Sequence, residues 1–323
     1  MAFPLAGPGG EPVDLWRTLV SHGVASLPPM SLDEDARTLE VTLPVRGARP
    51  RTVRILAGPR PPRAPGEPSR EGRVEFLGRA PSAGVVRAVM ATLRYMLSLD
   101  EDLSPFYARV RRDPKLAWVA AGAGRMLRSP TVFEDVVKTV CTTNCSWSAT
   151  VRMVGALVEH LGVPAVGAPP TGITGRAFPT PQAMASADPS FYRDVARAGY
   201  RGGYLASLAR AVAGGEIDLE VLGRAKPDGP PDDEVEERLL ALPGVGPYAA
   251  AHVMMLVGRH SRLILDSWTR PTYARLVRRR TVPDDVIVRR FRRFGPYAGL
   301  AFWLFLTRDW VMEPQDRQAE AFS

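Results

Sequence analysis

Lysine is nearly missing from this chain: of its 42 lysines and arginines only Lys115, Lys138 and Lys226 are lysine, so few amines are available for covalent chemistry. Cysteine is scarcer still. Cys141 and Cys145 alone give no disulfide scaffold and no four-cysteine iron–sulfur cluster. Their spacing in an apolar segment suggests packed thiols, as expected of a protein in a reducing cytoplasm. No apolar run approaches the length of a membrane span, and residues 1–12 lack the basic and apolar regions of a signal peptide. No internal repeat is visible. What is present is positive charge: a net +8 over 323 residues, almost all arginine, favours a polyanionic partner, although genomic base composition can also raise arginine.

The first part of the chain alternates. Residues 38–45 (TLEVTLPV), 52–56 (TVRIL) and 74–77 (VEFL) predict strands of an antiparallel sheet. Residues 58–71, rich in Pro, Gly and Arg, predict an exposed, mobile loop between them. From about residue 82 the period becomes helical, with Val85, Val86, Val89, Met90, Leu93 and Met96 on one face. Further short helices follow, with a long connector over 163–185 and an amphipathic helix over 201–213. The expected class is α+β, mostly α: an N-terminal antiparallel β-sheet domain over 1–83, then a helical domain over 84–323.

Residues 239–266, LLALPGVGPYAAAHVMMLVGRHSRLILD, organise the remainder. An amphipathic run over 232–242, with Asp232 and Asp233 as candidate N-caps, predicts one helix. Pro243-Gly244-Val245-Gly246-Pro247 breaks it, because the glycines permit positive φ or close approach and Pro247 suits a new helix start. A second helix is predicted over 247–257. In such a helix-hairpin-helix (233–257), free amides of Gly244, Val245 and Gly246 at a helix N-terminus would favour an anion such as a DNA phosphate. A plain helical hairpin is the simpler reading of the same glycines. Asp266, after Leu263-Ile264-Leu265, is placed to cap the helix that holds Tyr273 and Leu276.

The hairpin, an interval of about twenty residues and the helix-opening Asp266 together resemble the helix-hairpin-helix (HhH-GPD) DNA glycosylases. The likeness is nearest to the 8-oxoguanine glycosylase branch and extends to the bacterial alkylpurine, or DNA-3-methyladenine, glycosylases. Residues 133–162, the Phe178-Pro179 segment, Gly199-Tyr200-Arg201 with Tyr204, and Gly295-Pro296-Tyr297-Ala298-Gly299 match that branch in order. The resemblance implies a small α+β domain before a two-part helical glycosylase domain. It also implies base excision repair on double-stranded DNA carrying a damaged base, by a monomer with no membrane attachment and no cofactor.

By the same resemblance Asp266 is the catalytic residue, Asn144 and Tyr200 fill the gap left by a flipped nucleotide, and Arg201 reads the estranged base. Ala149 stands where a second base-reading arginine is found. Tyr248 replaces the lysine that forms a Schiff base in bifunctional relatives, and none of the three lysines falls near the hairpin in sequence. A monofunctional enzyme without AP-lyase activity is therefore expected. Phe302 replaces a base-reading glutamine, Leu306 a stacking phenylalanine, Trp268 a histidine and His252 a cysteine.

An aromatic pocket of Tyr248, Trp268, Phe302 and Trp303, with His252, suits a cationic alkylated purine such as 3-methyladenine. For Phe302, Trp303 and Phe305 the competing assignment is a core stripe of the last helix. An oxidised purine such as 8-oxoguanine is the alternative substrate, and a non-catalytic damaged-DNA binder the alternative of another class. The resemblance also implies a monovalent cation, K+ or Na+, at the carbonyls of Leu242 and Val245. No constellation for a catalytic divalent metal is present. Arginine runs at 278–280, 289–290 and 292–293 are candidate phosphate contacts or simply solvated faces.

Overall fold

The computed structural model describes residues 1–57, 70–223 and 229–311. Most of the 58–71 loop, and Lys226, lie outside these. Five strands form one antiparallel sheet in the order β1-β5-β4-β3-β2: β1 (Ala2–Pro4), β2 (Met30–Asp33), β3 (Thr38–Val45), β4 (Ala48–Leu56) and β5 (Glu71–Phe76). The alternation seen in the sequence is the inward face. Leu39 pairs with Ile55 and Val41 with Val53, and all four side chains are fully buried. The register shifts between Leu43 and Val45, and the exposed Pro44, which has no amide to give, sits at that irregularity. The two short strands β1 and β2 were not expected. At three and four residues they carry too little alternation to read, and their neighbours' edges align them.

Ser82 caps the helix Ala83–Met96 through the Val85 amide. Its apolar face, Val89, Leu93 and Met96, joins the core of the sheet. The boundary drawn at residue 83 thus runs between a sheet and the helix that covers it.

The helical remainder has two cores, as the two-part expectation requires. One gathers the helices Val132–Thr142, Trp147–Leu161, Arg201–Ala213 and Asp232–Leu240. The other gathers Ser104–Val110, Thr269–Leu276, Asp284–Phe291 and Ala298–Leu306. The helix Pro247–Leu256 is apolar on every face, which requires neighbours on every side. It has them: Ala249, Ala250, Val253 and Met254 lie in the first core, Ala251 and Met255 in the second, and Leu256 in the core of the sheet.

The helix-hairpin-helix forms with ends within two residues of expectation, as Asp232–Leu240 and Pro247–Leu256. Its caps differ. Pro231 occupies the N-cap position, while Asp232 accepts from Ser261 Oγ at 2.8 Å and Asp233 from Arg262 at 2.5 Å. The two aspartates tie down the loop after the second hairpin helix instead. In the 163–185 connector, Arg176 donates to the carbonyls of Gly162, Pro170 and Gly172 at 3.0–3.1 Å, and the stretch ends in a short helix, Pro181–Ala185.

Candidate active site

A cleft of about 1190 Å³ opens where the sheet domain and the two helical cores meet. Its walls come from the loop holding His22, Gly23 and Val24, the turn around Asn144, the hairpin, the segment Leu265 to Trp268, and Trp303 and Trp310.

The hairpin uses its glycines differently. Gly244 has φ +80°, and a Cβ there would stand 2.7 Å from the Tyr204 ring, so only glycine fits. Gly246 has φ −100° and faces open space, with nothing within 4 Å of an added Cβ. Of the three amides expected to be free, that of Val245 is spent on the Leu242 carbonyl at 3.2 Å. Those of Gly244 and Gly246 make no backbone hydrogen bond among the described residues. Two amides at the start of a buried helix are thus left for an anion.

Asp266 caps the turn that leads into the helix Thr269–Leu276, two residues ahead of the N-cap position itself, which Trp268 occupies. Its Oδ1 accepts from the amides of Trp268 at 2.9 Å and Thr269 at 2.6 Å, and Thr269 Oγ1 accepts from the Asp266 amide at 2.8 Å. This reciprocal pair fixes the rotamer. Oδ2 makes no hydrogen bond among the described residues, and the carboxylate lines the cleft half-buried. Its charge is felt nearby. Burial raises the Tyr248 hydroxyl and Asp266 pushes it further, against a hydrogen bond with Thr142. Burial drives His252 down to about 4, with Asp266 opposing.

Tyr248, the second residue of the second hairpin helix, packs against both helical cores. Its ring lies 5.3 Å from His252, which is 6.2 Å from Trp303. Trp303 is 5.9 Å from Trp268, and Trp310 lies 5.1 Å from Trp268. Phe302 does not belong to this wall. It is fully buried against Phe291 and Tyr273, because successive residues of a helix point about 100° apart and Trp303 takes the cleft side. Leu306 is likewise buried and absent from the cleft lining.

Opposite stands an exposed crest. Asn144 occupies the left-handed region (φ 47°) between the helices Val132–Thr142 and Trp147–Leu161, and its Nδ2 donates to the Tyr200 hydroxyl at 3.4 Å. Tyr200, 56% exposed, meets Tyr204 edge-on at 5.9 Å, and Tyr204 packs on Gly244. Arg201 is not part of the cleft lining. It is 6% exposed, lies under the Tyr200 ring and donates through Nε to the Thr143 carbonyl at 2.9 Å, where it holds the Asn144 turn. An orphan carbonyl at a helix end captures the guanidinium.

Several lining residues gave no signal in the sequence. His22 and Gly23 come from the sheet domain, Trp147 stacks over Gly23, and Trp310 follows the last buried helix. Lys138 also reaches the wall, but its amine is fully buried, 2.6 Å from Glu134. Lys115 lies near the ring of the buried Phe305. Among the described residues no cluster of His, Cys, Asp and Glu is arranged to hold a metal, and no helix is long and apolar enough to cross a membrane.

No protein-family model matches the chain. Among curated proteins it is 26% identical over 159 residues, 49% of this chain and 50% of the relative, to a DNA-3-methyladenine glycosylase of Bacillus subtilis. The chain thus spans about half the length of that relative. Among solved structures, a 3-methyladenine DNA-glycosylase from Archaeoglobus fulgidus superposes with a TM-score of 0.70 at 20% identity, over 96% of this chain and 99% of the other. The structure of MBOgg1 in complex with a low-affinity DNA ligand gives 0.68 at 18% identity, over 96% of each chain. Likenesses at these identities establish a common fold.

Proposed function

We propose that this chain, whose fold is that of the helix-hairpin-helix DNA glycosylases, excises a damaged purine from duplex DNA by hydrolysing its N-glycosidic bond. The observation that carries the proposal is the Asp266 carboxylate, held by its own cap in the wall of an aromatic-lined cleft beside the hairpin.

A base stacked in a duplex hides its C1′–N bond, so the nucleotide must be turned out and the gap filled. The Asn144–Tyr200–Tyr204 crest suits that filling, and the Gly244 and Gly246 amides suit a flanking phosphate. Arg201 acts here through the Asn144 turn. Asp266 stabilises the positive charge that develops at C1′ and orients the attacking water through the oxygen its cap leaves free. An alkylated purine already carries positive charge and leaves without a second carboxyl. The Tyr248, Trp268, Trp303 and Trp310 rings favour such a base, each cation–ring contact being worth about 0.5–2 kcal/mol.

The product is an intact strand with an abasic site. Tyr248 offers no amine, and Lys138 is already paired with Glu134. A monovalent cation on the Leu242 and Val245 carbonyls is compatible with the turn, where the Leu242 oxygen retains a lone pair beside the one given to Val245.

Purified protein incubated with duplexes carrying 3-methyladenine or 8-oxoguanine tests this. Base release with strand scission only after alkali is expected, and strongest for the methylated base. Scission without alkali, abolished in Lys138→Met, would transfer the chemistry to that lysine. Release of 8-oxoguanine alone would replace the substrate, and tight duplex binding with no release from any lesion would identify a binder.

A further inference from the structure

His22 and His252 meet Nε2 to Nε2 where the loop of the sheet domain touches the second hairpin helix. Each ring is more than nine-tenths buried, and both line the cleft. Two donors cannot face each other, nor two acceptors, so one ring must give and the other receive. The Val24 amide decides which. It donates to His22 Nδ1 at 3.3 Å, so that nitrogen is an acceptor and the proton of His22 is on Nε2. His22 therefore donates to Nε2 of His252, and the proton of His252 is on Nδ1. That atom is buried with no hydrogen-bond partner among the described residues, in a ring set between Tyr248 and Trp303. Buried donors are nearly always satisfied, and an unpaired one in a ligand cleft points to a ligand that completes it.

We propose that the Nδ1–H of His252, its tautomer fixed by His22, donates a hydrogen bond to the base held in the cleft. The proposal rests on the reading of this cleft as a base pocket. It makes His252 a base-contacting residue and His22 a positioning residue that never touches substrate. The recognised feature is a ring nitrogen or carbonyl oxygen with a free lone pair. The purine of 3-methyladenine keeps such nitrogens, and an edge carrying N–H instead would be refused. Burial depresses both rings, His22 further lowered by His252. Imidazolium is thus scarce at neutral pH, and His252 acts as a neutral donor and not as a proton source. Electron density flows into the base as the C1′–N bond lengthens, so this hydrogen bond is stronger in the transition state than in the ground state.

Long-range proton–nitrogen correlation spectra of the full chain labelled with 15N-histidine read the tautomers directly. At pH 7 the His22 signal should show Nε2–H and the His252 signal Nδ1–H, with assignments from single variants. The opposite pattern, or charged rings, would overturn the proposal whatever the protein does to DNA. Adding a duplex with a tetrahydrofuran abasic analogue and then free 3-methyladenine should shift the His252 Nδ1 proton downfield and slow its solvent exchange at least about ten-fold. Excision assays then separate the two layers. His252→Leu should lose about ten- to a hundred-fold in kcat/KM on a 3-methyladenine duplex, and His252→Gln, which keeps an N–H, should recover most of it. Wild-type excision with an unmoved His252 proton, or equal losses in the two variants, would overturn the donor role alone. No excision and no base binding by the wild type would remove the pocket reading and this inference with it.

Discussion

The hydrogen bonds that Asp266 accepts and the chemistry proposed for it are separable by substitution. Asparagine caps a helix about as well as aspartate. Asp266→Asn should therefore melt within a degree or two of wild type and keep its DNA affinity, while base release falls at least about a hundred-fold. Asp266→Ala should show the same kinetic loss and also give up about 0.5–2 kcal/mol of stability in urea titration. Undiminished turnover in the asparagine variant would exclude the carboxylate from the chemistry.

The buried histidines make a second prediction. The pKa of His252 is near 4 in the folded protein, against 6.5 when the chain is unfolded. Between those values the unfolded chain takes up a proton that the folded one refuses, so stability is full above pH 6.5 and is lost as pH falls toward 4. The facing titratable groups are His22, Tyr248 and Asp266, of which only Asp266 opposes the shift. The loss from His252 should approach roughly 3 kcal/mol, and His252→Phe should remove that part of the slope in the urea-midpoint profile, leaving the part due to the buried His22.

At this scale Asp266 was legible because a capping aspartate after an apolar run has a local signature. Phe302 was misassigned for the opposite reason. The helix Ala298–Leu306 is apolar all round, so spacing alone does not say which ring turns toward the cleft.

The hairpin was the most legible element, since Pro-Gly-x-Gly-Pro constrains the backbone before any packing is considered. What the pattern concealed is the inequality of the two glycines. Gly246→Ala has an ordinary φ and empty space around the new methyl, so its melting temperature should be unchanged. A phosphate approaching that surface would meet the methyl, and duplex affinity measured by fluorescence anisotropy should drop several-fold. Gly244→Ala should instead lose about 1 kcal/mol or more in stability, through its positive φ and the Tyr204 ring. Met254→Ala, in the helix shared by all three cores, should cost about 2–5 kcal/mol. The edge strands β1 and β2 were illegible because short strands take their register from neighbours.

For the whole molecule the excess positive charge is smaller than the arginine count suggests. Among the candidate runs Arg289 is paired with Asp285 at 2.9 Å and Arg293 with Asp113, while Arg290 lies over the Phe305 ring. Exposed pairs of this kind contribute little to stability, but they reduce the charge offered to DNA. The logarithm of duplex affinity should still fall linearly with the logarithm of salt, by about 0.9 per phosphate neutralised. A flat salt response would leave the arginines as solvated faces.

The cleft itself was the least legible feature, because its walls come from both ends of the chain and no local pattern couples them. The indole of Trp303 donates to the carbonyl of Ser21 at 3.0 Å, across 282 residues of sequence. During translation, Ser21 leaves the ribosome long before its partner has been synthesised. A nascent polypeptide has no finished chamber until the last buried helix docks against both the hairpin and the sheet domain.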